Sequence, residues 1–128
     1  MTRILIADDN QNVRRALRAM LEEVAEWTVC GEAIDGNDAV HRALDVKPDL
    51  IILDFQMPGM NGLQAAFEIA KGAPDTPVLL CTAHLSSALL GEARRVGIRG
   101  AVTKSISAEI VNGVRALLRR ESFFSGAL

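Results

Sequence analysis

Three aspartates, a threonine and a lysine stand where apolar runs stop. Asp8 and Asp9 follow Arg3 to Ala7 (RILIA), Asp54 follows Leu50 to Leu53 (LIIL), Thr82 follows Pro77 to Cys81 (PVLLC) and Lys104 follows Ala101 to Thr103. Carboxylates gathered in one place repel each other and stay ionised near neutral pH only if something positive joins them. Hard oxygen donors of this kind suit Mg²⁺, which keeps several waters and often bridges to a phosphoryl oxygen. A carboxylate is also a nucleophile that accepts a phosphoryl group as a mixed anhydride. A lysine is the compact cation to flank such an acceptor, and a hydroxyl such as that of Thr82 donates to a phosphoryl oxygen. Taken alone, Asp54 reads more simply as a strand-ending acid that caps the next turn. The other strand ends reverse that reading.

The elements that would position these groups follow from periodicity. Leu50 to Leu53 are four consecutive apolar residues, the pattern of a strand buried on both faces of a parallel sheet. Arg3–Ala7, Thr28–Ala33, Pro77–Cys81 and Ala101–Thr103 read as four further strands. Between them the period becomes helical. Val13, Leu17, Met20, Leu21 and Val24 make one inward stripe and Ala39, Val40, Ala43 and Leu44 a second, closed by Lys47-Pro48. Asn61 is expected to cap a third helix with Leu63, Ala66, Phe67 and Ala70 inside. Ser86 to Val96 is a looser helix, expected to be the most mobile, with Gly91 within it. Ser107 is expected to cap the last helix, which buries Ile110, Val114, Leu117 and Leu118 and carries Arg119 and Arg120 in its final turn. Five strands alternating with five helices call for an α/β, doubly wound, flavodoxin-like parallel sheet with right-handed crossovers. In such a sheet the strand ends share one edge, where ligands bind, so Asp8, Asp9, Asp54, Thr82 and Lys104 converge there.

Composition limits what that edge serves. The 128 residues make one ordinary domain able to bury a core without metal or disulfide help. A net charge of -2 with no basic stripe argues against nucleic acid as a partner. Arg14, Arg15 and Arg18 read most simply as a solvated helix face. Cys30 and Cys81 lie inside apolar runs, where free cysteine behaves as a small hydrophobe. No signal peptide precedes the first strand, and no apolar run approaches the ~20 residues of a membrane span. A cytoplasmic protein without membrane contact is expected.

The chain resembles the receiver domain of two-component response regulators, and the resemblance spans nearly its whole length. It rests on Asp8-Asp9 after the first strand, Asp54-Phe55-Gln56-Met57-Pro58-Gly59 with Gly62 beyond, Thr82-Ala83 after the fourth strand and Lys104 after the fifth. Each motif is weak alone; in this order and spacing they are specific. The resemblance implies that Asp54 is the phosphoacceptor, taking its phosphoryl group from the phosphohistidine of a sensor histidine kinase or phosphotransfer protein. It implies that Asp9, Asp54 and the backbone carbonyl of Gln56 bind Mg²⁺ directly and that Asp8 acts through a metal-bound water. Lys104 would pair with the phosphoryl group and Thr82 move toward it. Met57-Pro58-Gly59 would shape the loop. The protein would then be a phosphoacceptor that promotes its own phosphorylation and slow dephosphorylation, not an enzyme acting on other substrates. The face of the fourth helix, fifth strand and last helix would carry the readout, often through a phosphorylation-dependent homodimer.

Two positions depart from the family pattern. Ala101 stands where a Tyr or Phe is common, which removes the usual aromatic rotamer switch. Ser105 stands where a proline commonly follows the lysine, and cis at a non-proline bond costs about 2.5–4 kcal/mol. Residues from Val29 to Gly36 (VCGEAIDG) and the tail are similar to receivers of the NarL/FixJ type, which usually precede a helix-turn-helix output domain. Here the receiver is assigned to residues 1–121 and residues 122–128 to a tail or linker remnant. A truncated chain, a regulator that has lost its effector and a disordered apolar tail all remain open. A haloacid-dehalogenase-like phosphatase needs a second acid two residues past the nucleophile, where Gln56 cannot transfer a proton. A never-phosphorylated interaction module sits poorly with intact acids, Thr82 and Lys104. His41 is expected on an exposed helix face; His84, two residues beyond Thr82, reads as incidental more readily than functional.

Overall fold

The computed structural model describes residues 1–125. The chain alternates β1 (Thr2–Ala7), α1 (Gln11–Leu21), β2 (Trp27–Ala33), α2 (Gly36–Val46), β3 (Leu50–Leu53), α3 (Gly62–Gly72), β4 (Val78–Thr82), α4 (Ser87–Arg95), β5 (Gly100–Thr103) and α5 (Ser107–Leu118), then adds β6 (Phe123–Phe124). All strands pair in parallel in the order β2-β1-β3-β4-β5-β6. The doubly wound architecture read from the sequence is present, with a short sixth strand at one edge. Of the segment read as a tail, Phe123 and Phe124 form that strand, and 126–128 lie outside the described residues.

The period of two along each strand sorts the core into two layers. Leu5, Ala7, Ile51, Leu53, Leu80 and Ala101 face α2, α3 and α4, meeting Ala39, Ala43, Ala65, Ala66, Ile69, Leu90 and Ala93. Ile4, Ile6, Leu50, Ile52, Leu79, Cys81 and Val102 face α1 and α5, meeting Leu17, Leu21, Ile110, Val114 and Leu117. All four β3 residues are buried, so the central strand is apolar on both sides and its end is placed by two packed faces. No helix among the described residues is long and apolar enough to cross a membrane.

Helix ends follow local chemistry. The Asn10, Asp35, Asn61 and Ser86 side chains each accept from a backbone N–H in the first turn of the helix that follows. Asn61 and Gln64 close a reciprocal capping box. Lys47 ends α2 in the left-handed region with φ 50°, ahead of Pro48.

Four expectations fail here. Phe67 is 52% exposed and Ala70 is exposed, because α3 buries Ala65, Ala66 and Ile69: the stripe is rotated by about one residue from that read in the sequence. Phe67 lies outside with the Lys71 ammonium 4.9 Å from its ring. Ser107 is not the cap of α5; Ile106 occupies that position with no side-chain bond, and Arg119 and Arg120 lie beyond the last turn. Leu44 is exposed, its side chain lying over Gly72. Finally, Arg14 and Arg18 are not a free solvated face, because both reach across to Glu32 in β2.

Candidate functional site

The sheet's carboxyl edge is built by one backbone hydrogen bond per strand end. Asp8 N–H donates to Ala33 O (3.0 Å), Asp54 N–H to Ala7 O (3.0 Å) and Lys104 N–H to Thr82 O (2.9 Å). Asp8, Asp54 and Lys104 are thus each held by the rung that closes the strand before them. Asp8 is 1% exposed and Asp54 5% exposed, while Asp9 lies at the surface. Carboxylate oxygens of Asp8, Asp9 and Asp54 lie within 4.8 Å of one another.

Such a cluster needs a cation, and Lys104 supplies it. Its Nζ lies 2.6 Å from Asp8 Oδ2 and 3.1 Å from Asp54 Oδ2. Asp8 also accepts the Asn10 N–H at 2.9 Å. Burial pushes the Asp54 carboxyl above the usual carboxylate range. The Lys104 bond and charge and the Gln56 N–H oppose that rise, and the nearby Asp8 charge adds to it. For Lys104, burial works against the ammonium, but the Asp8 and Asp54 carboxylates outweigh it and hold the amine above its ordinary value. The donor set of three carboxylates on one rim fits a hard divalent cation such as Mg²⁺.

Asp54 is followed by a loop that doubles back on it. Gly62 N–H donates to Phe55 O at 2.8 Å, and a Cβ on Gly62 would stand 2.3 Å from the Asp54 carbonyl oxygen. Only glycine lets α3 start this close to the acid. Met57 is buried in the α2/α3/α4 layer, so its side chain anchors the loop while Gln56 stays at the rim. Thr82 is buried at the end of β4. With Phe55, Gln56, Ala83, His84 and Leu89 it lines a cleft between the Asp54 loop and α4.

The residues singled out in the sequence therefore gather: Asp8, Asp9, Asp54 and Lys104 in direct proximity, Thr82 and Gln56 on the adjoining cleft. His84 is exposed on that cleft's wall and His41 is exposed on α2, away from the site. Ser105 N–H and Oγ both meet Thr103 Oγ1, and the Lys104–Ser105 bond is trans like every other peptide among the described residues. Opposite Ala101, β6 places Phe124.

Sequence reasoning missed Arg14. Its guanidinium donates to Asp8 O at 2.8 Å and to Glu32 Oε1 at 2.9 Å, while Arg18 donates to Glu32 Oε2 at 2.9 Å. Burial raises the Glu32 carboxyl, but the two guanidinium groups outweigh it and hold it below the usual range. The available signal was a lone acid inside an otherwise apolar strand, with arginines one helical turn apart nearby. Cys81 is buried behind the site, and burial pushes its thiol up to about 12, so it is inert.

Comparison with known proteins supplies the remaining findings. Residues 4–115 match the model of the response regulator receiver domain. The chain is 34% identical over 123 residues to an uncharacterized transcriptional regulatory protein, YxjL, of Bacillus subtilis, covering 95% of this chain and 56% of the relative. It is 33% identical to the transcriptional regulatory protein LiaR of the same species, covering 94% of this chain and 58% of LiaR. The chain thus spans little more than half the length of these curated relatives. Among solved structures it is similar to a two-component response regulator of the LuxR family from Aurantimonas sp. (TM-score 0.94, 31% identity, covering 98% of this chain and 91% of that one). It is also similar to the signal receiver domain of the NarL response regulator from Mycobacterium tuberculosis (TM-score 0.86, 33% identity, covering 92% and 96%).

Proposed function

This chain belongs to the response regulator receiver domain family of two-component systems, and from that premise we propose that it accepts a phosphoryl group on Asp54 from a histidine kinase or phosphotransfer protein in the cytoplasm. The observation that carries the reading is Asp54 itself, a nearly buried carboxylate facing two further acids and bonded to one lysine. An Asp54 carboxylate oxygen attacks phosphorus, the P–N bond of the phosphohistidine breaks, and the imidazole nitrogen keeps the electron pair and takes a proton. Lys104 is placed to exchange a carboxylate for a phosphoryl oxygen, which holds negative charge at the reacting edge without reorganising the backbone. Thr82, at the end of the neighbouring strand, brings a hydroxyl donor from the cleft.

Asp8, Asp9, Asp54 and the Gln56 carbonyl are the groups that would hold Mg²⁺. When bound, the ion supplies positive charge that offsets the phosphoryl oxygens against the acidic rim. The product is a changed α4–β5–α5 face, read by a partner or by a second copy. The description of its relatives as transcriptional regulators supports a route that ends in transcription.

The test is a mass measurement after incubation with acetyl phosphate and Mg²⁺. One phosphoryl group is expected, lost on chelation and absent from Asp54→Asn. Undiminished labelling of that variant would assign the acceptor elsewhere.

A further inference from the structure

The three acids of the rim are not held in the same way. Asp8 is 1% exposed, its carboxylate fixed by the Lys104 ammonium (2.6 Å) and the Asn10 N–H (2.9 Å). Asp54 is 5% exposed and meets the same ammonium at 3.1 Å. Asp9 lies at the surface, so packing does not fix its carboxylate, yet one of its oxygens comes within 4.8 Å of the other two acids. What places it is the backbone it hangs from. The nearest handle on that backbone is the planar Asp8–Asp9 peptide, whose carbonyl belongs to Asp8 and whose N–H belongs to Asp9.

That carbonyl lies past the last rung of the sheet. The Asp8 N–H still donates to Ala33 O (3.0 Å), but β2 ends at Ala33, and it is Arg14 that meets the Asp8 carbonyl, with Nη1 at 2.8 Å. Arg14 stands in the first turn of α1, where side chains lean back toward the helix N-terminus and hence toward the end of β1. A cation there runs against the helix dipole, so local helix chemistry does not explain it. Glu32 aims its fork: Arg14 Nε donates to Oε1 at 2.9 Å, while the other carboxylate oxygen takes Arg18. The Arg14 side chain is 12% exposed and immobilised between these partners. Arg18, 40% exposed, meets Glu32 and Glu22 rather than Asp8.

We propose that Arg14 is a positioning residue of the acid rim: by holding the Asp8 carbonyl it fixes the Asp8–Asp9 peptide plane and so keeps Asp9 within reach of a cation shared with Asp8 and Asp54. The proposal rests on the reading of that rim as a Mg²⁺ site. Without the guanidinium, the carbonyl of a buried residue loses its donor. The peptide turns to recover one from water, and Asp9 turns with it. The sign of the effect separates placement from charge. A guanidinium beside a cation site repels the cation, so deleting it for its charge alone would strengthen Mg²⁺ binding, whereas deleting it as a support weakens binding.

Mg²⁺ titration of the whole chain without phosphodonor, followed through the amide shifts of residues 8–10 and 54–56, tests this. Arg14→Ala should bind Mg²⁺ about tenfold more weakly than the parent. Arg14→Lys keeps the charge but not the fork that spans Glu32 and Asp8, and should also bind more weakly. Arg18→Ala removes a cation from the same carboxylate while leaving the Asp8 contact in place, and should bind at least as tightly as the parent. In labelling with acetyl phosphate, the Arg14→Ala rate should fall at low Mg²⁺ and recover as Mg²⁺ approaches saturation, which a misfolded chain would not do. Should Arg14→Ala fail to fold, Arg14→Lys against Arg18→Ala decides. Arg14 variants that bind Mg²⁺ as tightly as the parent, or more tightly, would overturn this proposal alone. A parent without Mg²⁺-dependent shifts would overturn the reading of the rim as a metal site, and the proposal with it.

Discussion

The Lys104 ammonium lies closer to Asp8 (2.6 Å) than to Asp54 (3.1 Å), so the amine ending β5 is tied first to the acid ending β1. The resemblance had paired this lysine with a phosphoryl group and Asp8 with a metal-bound water. In the structure the one ammonium reaches two nearly buried carboxylates from separate strands. Entry of another cation and of a phosphoryl oxygen would thus redistribute Lys104 rather than fill an already vacant charge balance.

Lys104→Ala should make that balance measurable. Loss of the amine leaves Asp8 and Asp54 facing each other without it, a destabilisation of about 2 kcal/mol at neutral pH for a partly buried pair. Mg²⁺ should then raise the melting temperature of the variant by more than it raises that of the parent. Equal shifts, read by thermal unfolding with Mg²⁺ against chelator, would show that Lys104 does not carry the compensating charge.

Asp54→Asn should have the opposite sign. The folded Asp54 carboxyl titrates above the unfolded one, so the folded state binds more protons across that interval and loses stability as pH rises through it. Above the interval, and without divalent ion, the Asn variant should be more stable than the parent by on the order of 1 kcal/mol. Below the ordinary carboxylate range the two should converge. Denaturant unfolding at several pH values reads this, and a parent more stable than the variant at neutral pH contradicts it.

Glu32 sets a different acid limit. Its carboxyl is held low by Arg18 and Arg14 in the fold, so its contribution is full above the unfolded value and is lost as pH falls through the folded one. Glu32→Gln should lower stability by about 1 kcal/mol at neutral pH, and the difference should fade on acidification. Because Arg14 also holds the Asp8 carbonyl, amide shifts at Asp8 and Asp9 should move in this variant.

Thr82→Ala should leave phosphorylation of Asp54 intact while largely erasing the phosphorylation-dependent NMR shifts of residues 84–106. Ala101 has no rotamer to exchange, so under the proposed function the signal would pass through Thr82, the Ala83–Ser87 loop and α4. A full shift pattern in the variant would route the signal elsewhere.

The strand ends were legible in the sequence because burial on both faces of β1, β3 and β4 leaves an uninterrupted apolar run, and a polar residue after such a run can only mark the edge. What escaped was lateral. The α3 stripe rotated because Ala65, Ala66 and Ile69 pack as well as Leu63, Ala66 and Phe67 by periodicity alone; only the close approach of α3 to the Asp54 loop selects between them. The Arg14–Glu32 brace joins residues 18 positions apart on different elements, which no helical or strand period encodes. Phe123 and Phe124 looked like a free tail because two residues make no period; their strand exists through Gly100 and Gly113.

Gly62 touches no phosphoryl chemistry, yet its missing side chain decides how near α3 comes to the Asp54 carbonyl. In a genetic screen that scores signalling output, such a position would be indistinguishable from the acceptor: nearly every allele would score as null while the acids themselves stayed wild type. The fitness map of this domain should therefore extend past its reactive atoms into the backbone that frames them, and a loss-of-function allele at Gly62 would be a lesion of placement, with the chemistry untouched.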